Sequence, residues 1–160
     1  LIVYVPEKQI PELEKKELDL GELVHDVVEC HRGHAERIGT ELTVETIPLV
    51  GQWDRARVEQ IVTNLLTNAL KFGAGKPVRV VVGADAAEAT IEVHDQGIGL
   101  ARRDLYRIFQ KFERASSPES YAGFGLGLYI TRKLVDAHGG RIEVESEPGQ
   151  GAMLRVRLPR

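Results

Sequence analysis

The chain has 160 residues, 42% of them apolar, which is enough for one buried core and suits a single compact domain better than two. Its 21 basic and 24 acidic side chains leave a formal charge of −3, so there is no basic footprint for nucleic acid. A lone cysteine, Cys30, excludes an internal disulfide and a thiolate zinc cage, and no apolar run approaches the ~20 residues that cross a bilayer.

The sequence opens on Leu1 and not on Met, as expected of a segment cut from a longer protein whose upstream part can carry a membrane anchor. Residues 1–17 mix apolar and charged side chains, and Pro6 and Pro11 break any long helix, so this stretch reads as a linker or edge element from an upstream domain. Residues 18–160 are the expected domain.

A helix starts after Asp19, which can cap it, with Glu22 three residues on as in a capping box and Leu18 placed to staple onto Leu23. Its buried stripe is predicted to be Leu20, Leu23, Val24, Val27, Val28, Ala35 and Ile38. His31 falls on that stripe and reads as a half-buried packing residue, while His25 and His34 read as solvated. Leu42, Val44 and Thr46 alternate with polar neighbours as a strand, and residues 51–53 lead into a second helix over 55–72, capped by Asp54. The runs VRVVV (78–82) and TIEVH (90–94) form a predicted hairpin. Residues 100–124 are polar, Arg-rich and punctuated by Ser, Pro and Gly, long for a connection and suited to a functional lid. A third helix over 126–138 ends at Gly139 and Gly140, and RIEVESE (141–147) and MLRVRL (153–158) close the chain as a second hairpin. This order predicts an α+β two-layer sandwich, a mixed sheet packed against about three helices.

Three constellations carry chemistry. On the second helix, Asn64, Asn68 and Lys71 cluster in a narrow arc at the margin of an apolar face made by Val58, Ile61, Val62, Leu65, Leu66 and Ala69. Asparagine is a poor helix-interior residue, so the pair needs another reason: either amides that tie the helix to a loop, or an oxygen ligand for Mg²⁺ beside a cation for phosphate. In DQGIGL, Asp95 ends a strand and Gly97 and Gly99 let backbone approach a ligand closely, although D-x-G-x-G also suits a plain tight turn. In AGFGLGLYI, Gly123, Gly125 and Gly127 lead into a helix whose exposed N–H groups make an anion site. The spacing is neither a dinucleotide-binding fingerprint nor a Walker loop.

The order of these motifs resembles the catalytic domain of bacterial sensor histidine kinases over roughly residues 18–159. NLLTNALKFG (64–73) is similar to the N box, DQGIGL to the first glycine box, FQKFERA (109–115) to the phenylalanine box and GFGLGL to the second glycine box. The resemblance implies the Bergerat ATP-binding fold, with ATP and Mg²⁺ as cofactors. It implies that Asn68 coordinates Mg²⁺ with Asn64 lining the same site, that Lys71 meets phosphate oxygens, and that Asp95 binds the adenine amine. Gly97 and Gly99 would shape the adenine pocket. Gly123, Gly125, Leu126 and Gly127 would border the triphosphate, Phe109 and Phe112 would pack the lid, and Arg114 would reach the γ-phosphate or stay in solvent.

In the hydrolases of this fold a Glu four residues before the metal-binding Asn activates water. Here that position is Asn64, whose neutral amide cannot act as a general base. The expected reaction is therefore transfer of the γ-phosphate to a histidine on a separate dimerising domain, with a response regulator downstream. His25-Asp26 only superficially matches such an acceptor, and His94 and His138 are poor ones. The implied setting is cytoplasmic, with no membrane contact by this segment, a monomer by itself and a homodimer in the longer protein. A nucleotide-binding regulatory module without transfer activity, or a serine protein kinase on the same fold, are the competing expectations.

Overall fold

The computed structural model describes residues 12–73, 75–101, 109 and 124–160, with 124–126 described in backbone only. Its elements are β1 (Lys16–Asp19), α1 (Leu20–Arg37), β2 (Leu42–Glu45), β3 (Val50–Trp53), α2 (Arg55–Phe72), β4 (Val78–Ala84), β5 (Glu88–His94), α3 (Phe124–Ala137), β6 (Arg141–Ser146) and β7 (Ala152–Pro159). The five-stranded sheet has the order β2-β4-β5-β7-β6, and β1 and β3 form a separate two-stranded ribbon. The pair β2–β4 is parallel, made possible by the crossover through α2, and every other pair is antiparallel. The mixed sheet with three helices is the two-layer α+β architecture expected from the sequence.

Local chemistry explains where the helices begin. Asp19 Oδ1 accepts the Glu22 N–H at 3.2 Å and the Leu49 N–H at 3.1 Å, so one carboxylate both caps α1 and fixes the approach to β3. The predicted stripe of α1 is buried except for Ile38, which lies one residue past the helix and is 40% exposed. His31 is half-buried and bonded at Nδ1 to the Val27 carbonyl. Residues 16 and 17, the end of the stretch read as linker or edge, begin β1 and pair with Trp53 and Gln52. Thr46 lies outside β2, and α3 starts two residues earlier than the pattern suggested.

The start of α2 is anchored from three directions. The Asp54 side chain accepts the N–H groups of Arg57 (3.2 Å) and Glu14 (2.9 Å), and its own N–H donates to Nε2 of the buried His138 at 3.3 Å. His138 donates from Nδ1 to the Leu134 carbonyl, which fixes the neutral tautomer with Nε2 as acceptor. Beside it, Trp53 is 1% exposed and donates its indole N–H to the Pro159 carbonyl at 3.0 Å. Burying this indole stabilises the fold by a few kcal/mol.

The face of the sheet opposite the helices carries a lattice of charges. Glu143 accepts from Arg141, Arg155 and Arg157, and Arg155 also donates to Glu92 at 2.8 Å. Arg157 above all, with Arg155 and Arg141, holds the Glu143 carboxyl down at about 2 against an ordinary 4.5. A depressed carboxylate contributes stability that is fully present above the unfolded-state value and fades as pH falls towards the folded one. Glu143→Gln should therefore lower stability at neutral pH by roughly 1 kcal/mol, kept small by solvent screening. In urea melts run at successively lower pH, the deficit should shrink between 4.5 and about 2; a pH-independent deficit would show that the charge is not its origin.

Candidate functional site

The site grows from the last three turns of α2. Its apolar arc, Val58, Ile61, Val62, Leu65, Leu66 and Ala69, is buried as the periodicity requires, and this burial leaves Asn64 and Asn68 half-buried along its margin. The Asn64 Nδ2 group donates to the Gly127 carbonyl at 3.3 Å and to Thr131 Oγ1 at 3.2 Å, both on α3. The Asn68 Nδ2 is buried and has no acceptor among the described residues. A buried donor left unpaired costs about 1–3 kcal/mol, so this amide is poised for an oxygen-bearing ligand. Lys71 is exposed. Its ammonium lies 5.6 Å from the Phe72 ring centroid, and it lines a recess with His34, Ile38 and Leu70.

Asp95 follows the last residue of β5. Its Oδ1 accepts the Gly97 N–H at 2.9 Å, an Asx-type turn that closes the loop, and its own N–H donates to the Ala152 carbonyl at 2.9 Å. Burial pushes the Asp95 carboxyl above its ordinary value, with the Gly97 N–H opposing the shift. It borders a hollow of about 710 Å³ shared with His94, Glu145, Gly151 and Met153.

Backbone meets backbone around this loop, and that is why glycine is needed there. A Cβ at Gly97 would run into the Phe72 carbonyl oxygen at the end of α2, and one at Gly99, where φ is 65°, would strike the Glu147 carbonyl oxygen. Hydrogen bonds stitch the same seam. The Ile98 N–H donates to the Phe72 carbonyl at 3.4 Å, the Gly149 N–H to the Ile98 carbonyl at 2.8 Å, and the Leu100 N–H to Ser146 Oγ at 2.7 Å. The loop after β5 is thus clamped between α2 and the β6–β7 turn, and it brings Asp95 to the same end of the sheet as the Asn68 turn.

Sequence reasoning missed two participants. Gly151 has φ 84° and packs against the Asp95 carbonyl, whereas the sequence showed it only as part of a hairpin turn. Thr131 is fully buried and bonded to Asn64, and nothing in the spacing singled it out from the helix's apolar neighbours. Phe109 is buried in the main core. Gly125 and Leu126 lie in the first turn of α3, in backbone only, and Gly127 supplies the carbonyl to Asn64. Phe112, Arg114 and Gly123 lie outside the described residues.

A family model described as "Histidine kinase-, DNA gyrase B-, and HSP90-like ATPase" matches residues 53–160. The chain is 37% identical over 155 residues to the sensor histidine kinase MtrB of Mycobacterium leprae, covering 94% of this chain and 27% of that protein. It is 33% identical over 145 residues to cyanobacterial phytochrome B of Nostoc sp., covering 88% of this chain and 19% of that one. The chain spans about a quarter or less of the length of such relatives. Among solved structures, full-length ShkA in complex with AMPPNP superposes with a TM-score of 0.81 at 30% identity, covering 94% of this chain and 32% of that chain. The catalytic domain of histidine kinase ThkA superposes with a TM-score of 0.81 at 24% identity, covering 92% and 98%, which speaks to the fold alone.

The raised Asp95 carboxyl has a stability consequence. Ionising it inside the fold is unfavourable, so its effect is most favourable to the fold below the ordinary 3.8 and worsens as pH rises through the folded-state value. Asp95→Asn, which keeps an acceptor for the Gly97 N–H, should make the unliganded chain more stable at neutral pH. The gain should vanish in melts carried out below pH 3.8; a variant less stable than the parent at neutral pH would contradict this.

Proposed function

The chain belongs to the family of histidine kinase-, DNA gyrase B- and HSP90-like ATPases, and from that premise we propose that it is the catalytic domain of a sensor histidine kinase, binding Mg-ATP and delivering the γ-phosphate to a histidine on a separate domain. The observation that carries the reading is the pair of amides on α2, one with a buried unpaired donor, at the same end of the sheet as a half-buried carboxylate presented by a glycine-shaped loop. Relatives named as sensor histidine kinases and the superposable ShkA, solved in complex with AMPPNP, support it.

In this reading Asp95 accepts a hydrogen bond from the adenine amine, and its partial burial strengthens that bond. Gly97 and Gly99, packed on the Phe72 and Glu147 carbonyls, would hold the loop that shapes the adenine pocket. The donor set fits a metal-bound triphosphate: among the described residues no three His, Cys, Asp or Glu side chains converge, and amide oxygen with phosphate oxygens suits Mg²⁺, a hard ion that keeps several waters. Asn68 would hold it, with Asn64 alongside, and the unpaired Asn68 Nδ2 would donate to a phosphate oxygen. When bound, the ion neutralises charge on the β- and γ-phosphates. Lys71 and Arg114 would add cationic contacts, while Gly123, Gly125, Leu126 and Gly127 would border the phosphates at the start of α3. Phe109 and Phe112 would anchor the intervening lid.

The acceptor is an imidazole nitrogen on a helical hairpin upstream. It attacks the γ-phosphorus, the bond to the bridging oxygen breaks with its electrons leaving on ADP, and the imidazole proton passes to solvent. A response regulator then takes the phosphoryl group. The domain works in the cytoplasm, where ATP is available, and no described helix is long and apolar enough to cross a membrane.

Titration calorimetry with a non-hydrolysable ATP analogue is expected to give Mg²⁺-dependent binding with negligible ATP turnover by the domain by itself. Asp95→Ala should weaken binding by about 1–3 kcal/mol, and Asn68→Ala should remove most of the metal dependence. Adding a phosphoacceptor hairpin should yield acid-labile phosphate on it. Binding without transfer would indicate a regulatory module, acid-stable phosphate a serine kinase, and absence of Mg²⁺-dependent nucleotide binding would overturn the proposal.

A further inference from the structure

An asparagine offers a metal ion its carbonyl oxygen only if something else holds its NH₂ end, because the two ends of the amide are nearly the same shape. At Asn64 that restraint is on α3. Nδ2 has two hydrogens and two acceptors, the Gly127 carbonyl at 3.3 Å and Thr131 Oγ1 at 3.2 Å. Thr131 Oγ1 spends its own hydrogen on the same Gly127 carbonyl at 2.8 Å, so its lone pairs are what it presents to Asn64. The threonine is fully buried, which fixes its rotamer and keeps water from competing. Both acceptors lie on one side of Nδ2, so the NH₂ end of Asn64 is turned to α3 and Oδ1 is the end left for a ligand; no described residue donates to that oxygen.

We infer that Thr131 is a positioning residue for the metal site: its hydroxyl locks the Asn64 amide in the orientation that turns Oδ1 towards the cation. The inference rests on the reading of Asn64 and Asn68 as lining the Mg²⁺ site. Thr131 touches neither nucleotide nor metal. It acts through Asn64 and, by its bond to Gly127, holds the amide in register with the first turn of α3. A hydroxyl bonded to the carbonyl four residues back is ordinary in a helix, but that bond alone does not require an asparagine donor from a second helix.

Thr131→Val keeps the side-chain shape and removes the hydroxyl, and Thr131→Ser keeps the hydroxyl. Binding of a non-hydrolysable ATP analogue is measured by calorimetry with and without Mg²⁺, and exchange of the Asn64 side-chain amide protons by NMR. The Val variant should keep metal-free nucleotide affinity, lose Mg²⁺ affinity by about 10–100-fold, as when an outer-sphere partner of a ligand is removed, and exchange its Asn64 amide protons faster. The Ser variant should restore both. Unchanged Mg²⁺ enhancement in the folded Val variant, or an equal loss of metal-free and metal-bound affinity, would overturn the inference while leaving the Mg-ATP reading intact. If the parent chain binds nucleotide without any Mg²⁺ effect, that reading fails first, and the assignment of Thr131 with it.

Discussion

The site depends on one close approach, the backbone of the loop after β5 against the carbonyl end of α2. Gly97 packs on the Phe72 carbonyl oxygen with no room for a Cβ, and the Ile98 N–H bonds to that same oxygen. A helix C-terminus leaves its last carbonyls without partners inside the helix, and here the loop supplies one. The exchange satisfies the helix and fixes the loop together. It also sets how far Asp95 stands from the asparagines, since one belongs to the loop and the others to the helix. On the other side of the loop, the β6–β7 turn closes the clamp through the Ser146 hydroxyl, the Gly149 N–H and the close backbone packing of Gly151 on the Asp95 carbonyl.

The opposite end of α2 is held as firmly, by different means. Asp54 caps the helix, receives the incoming chain at Glu14 and is supported from behind by His138, the residue just past α3. A helix whose two ends are both fixed can present side chains from its middle with little play, which a site made of short amides requires. The same three hydrogen bonds join the upstream segment, α2 and α3 at a single buried point.

Much of this could be read from residue pattern because it is local. Caps at Asp19 and Asp54, the 3.6-residue stripes of α1 and α2 and the two late hairpins are each specified within a few positions. The ribbon β1–β3 was not legible. Its strands are four residues long, KELD and VGQW, without alternation, and the pairing of Lys16 with Trp53 is made across the whole of α1. Ile38 was assigned to a buried stripe because the period continues past the point where the helix stops at Arg37. Gly151 and Thr131 escaped for a related reason. A glycine in a hairpin turn and a threonine in an apolar helix each have an ordinary local explanation, and their roles come from partners 56 and 67 residues away.

The surroundings of Asn64 bear on which reaction the site supports. A hydrolytic site wants a carboxylate at this point to deprotonate water. A carboxylate here would face the Gly127 carbonyl oxygen, an acceptor with nothing to accept, and would lose both hydrogen bonds that the amide makes. The α3 helix is thus complementary to a donor, and the Thr131 hydroxyl already gives its proton to Gly127. With a neutral amide at this position and its NH₂ end held by α3, the residue is unsuited to activating water, as the proposed kinase reading requires. Positioning and charge neutralisation are what the proposed transfer would ask of this surface, with the nucleophile supplied by a separate domain.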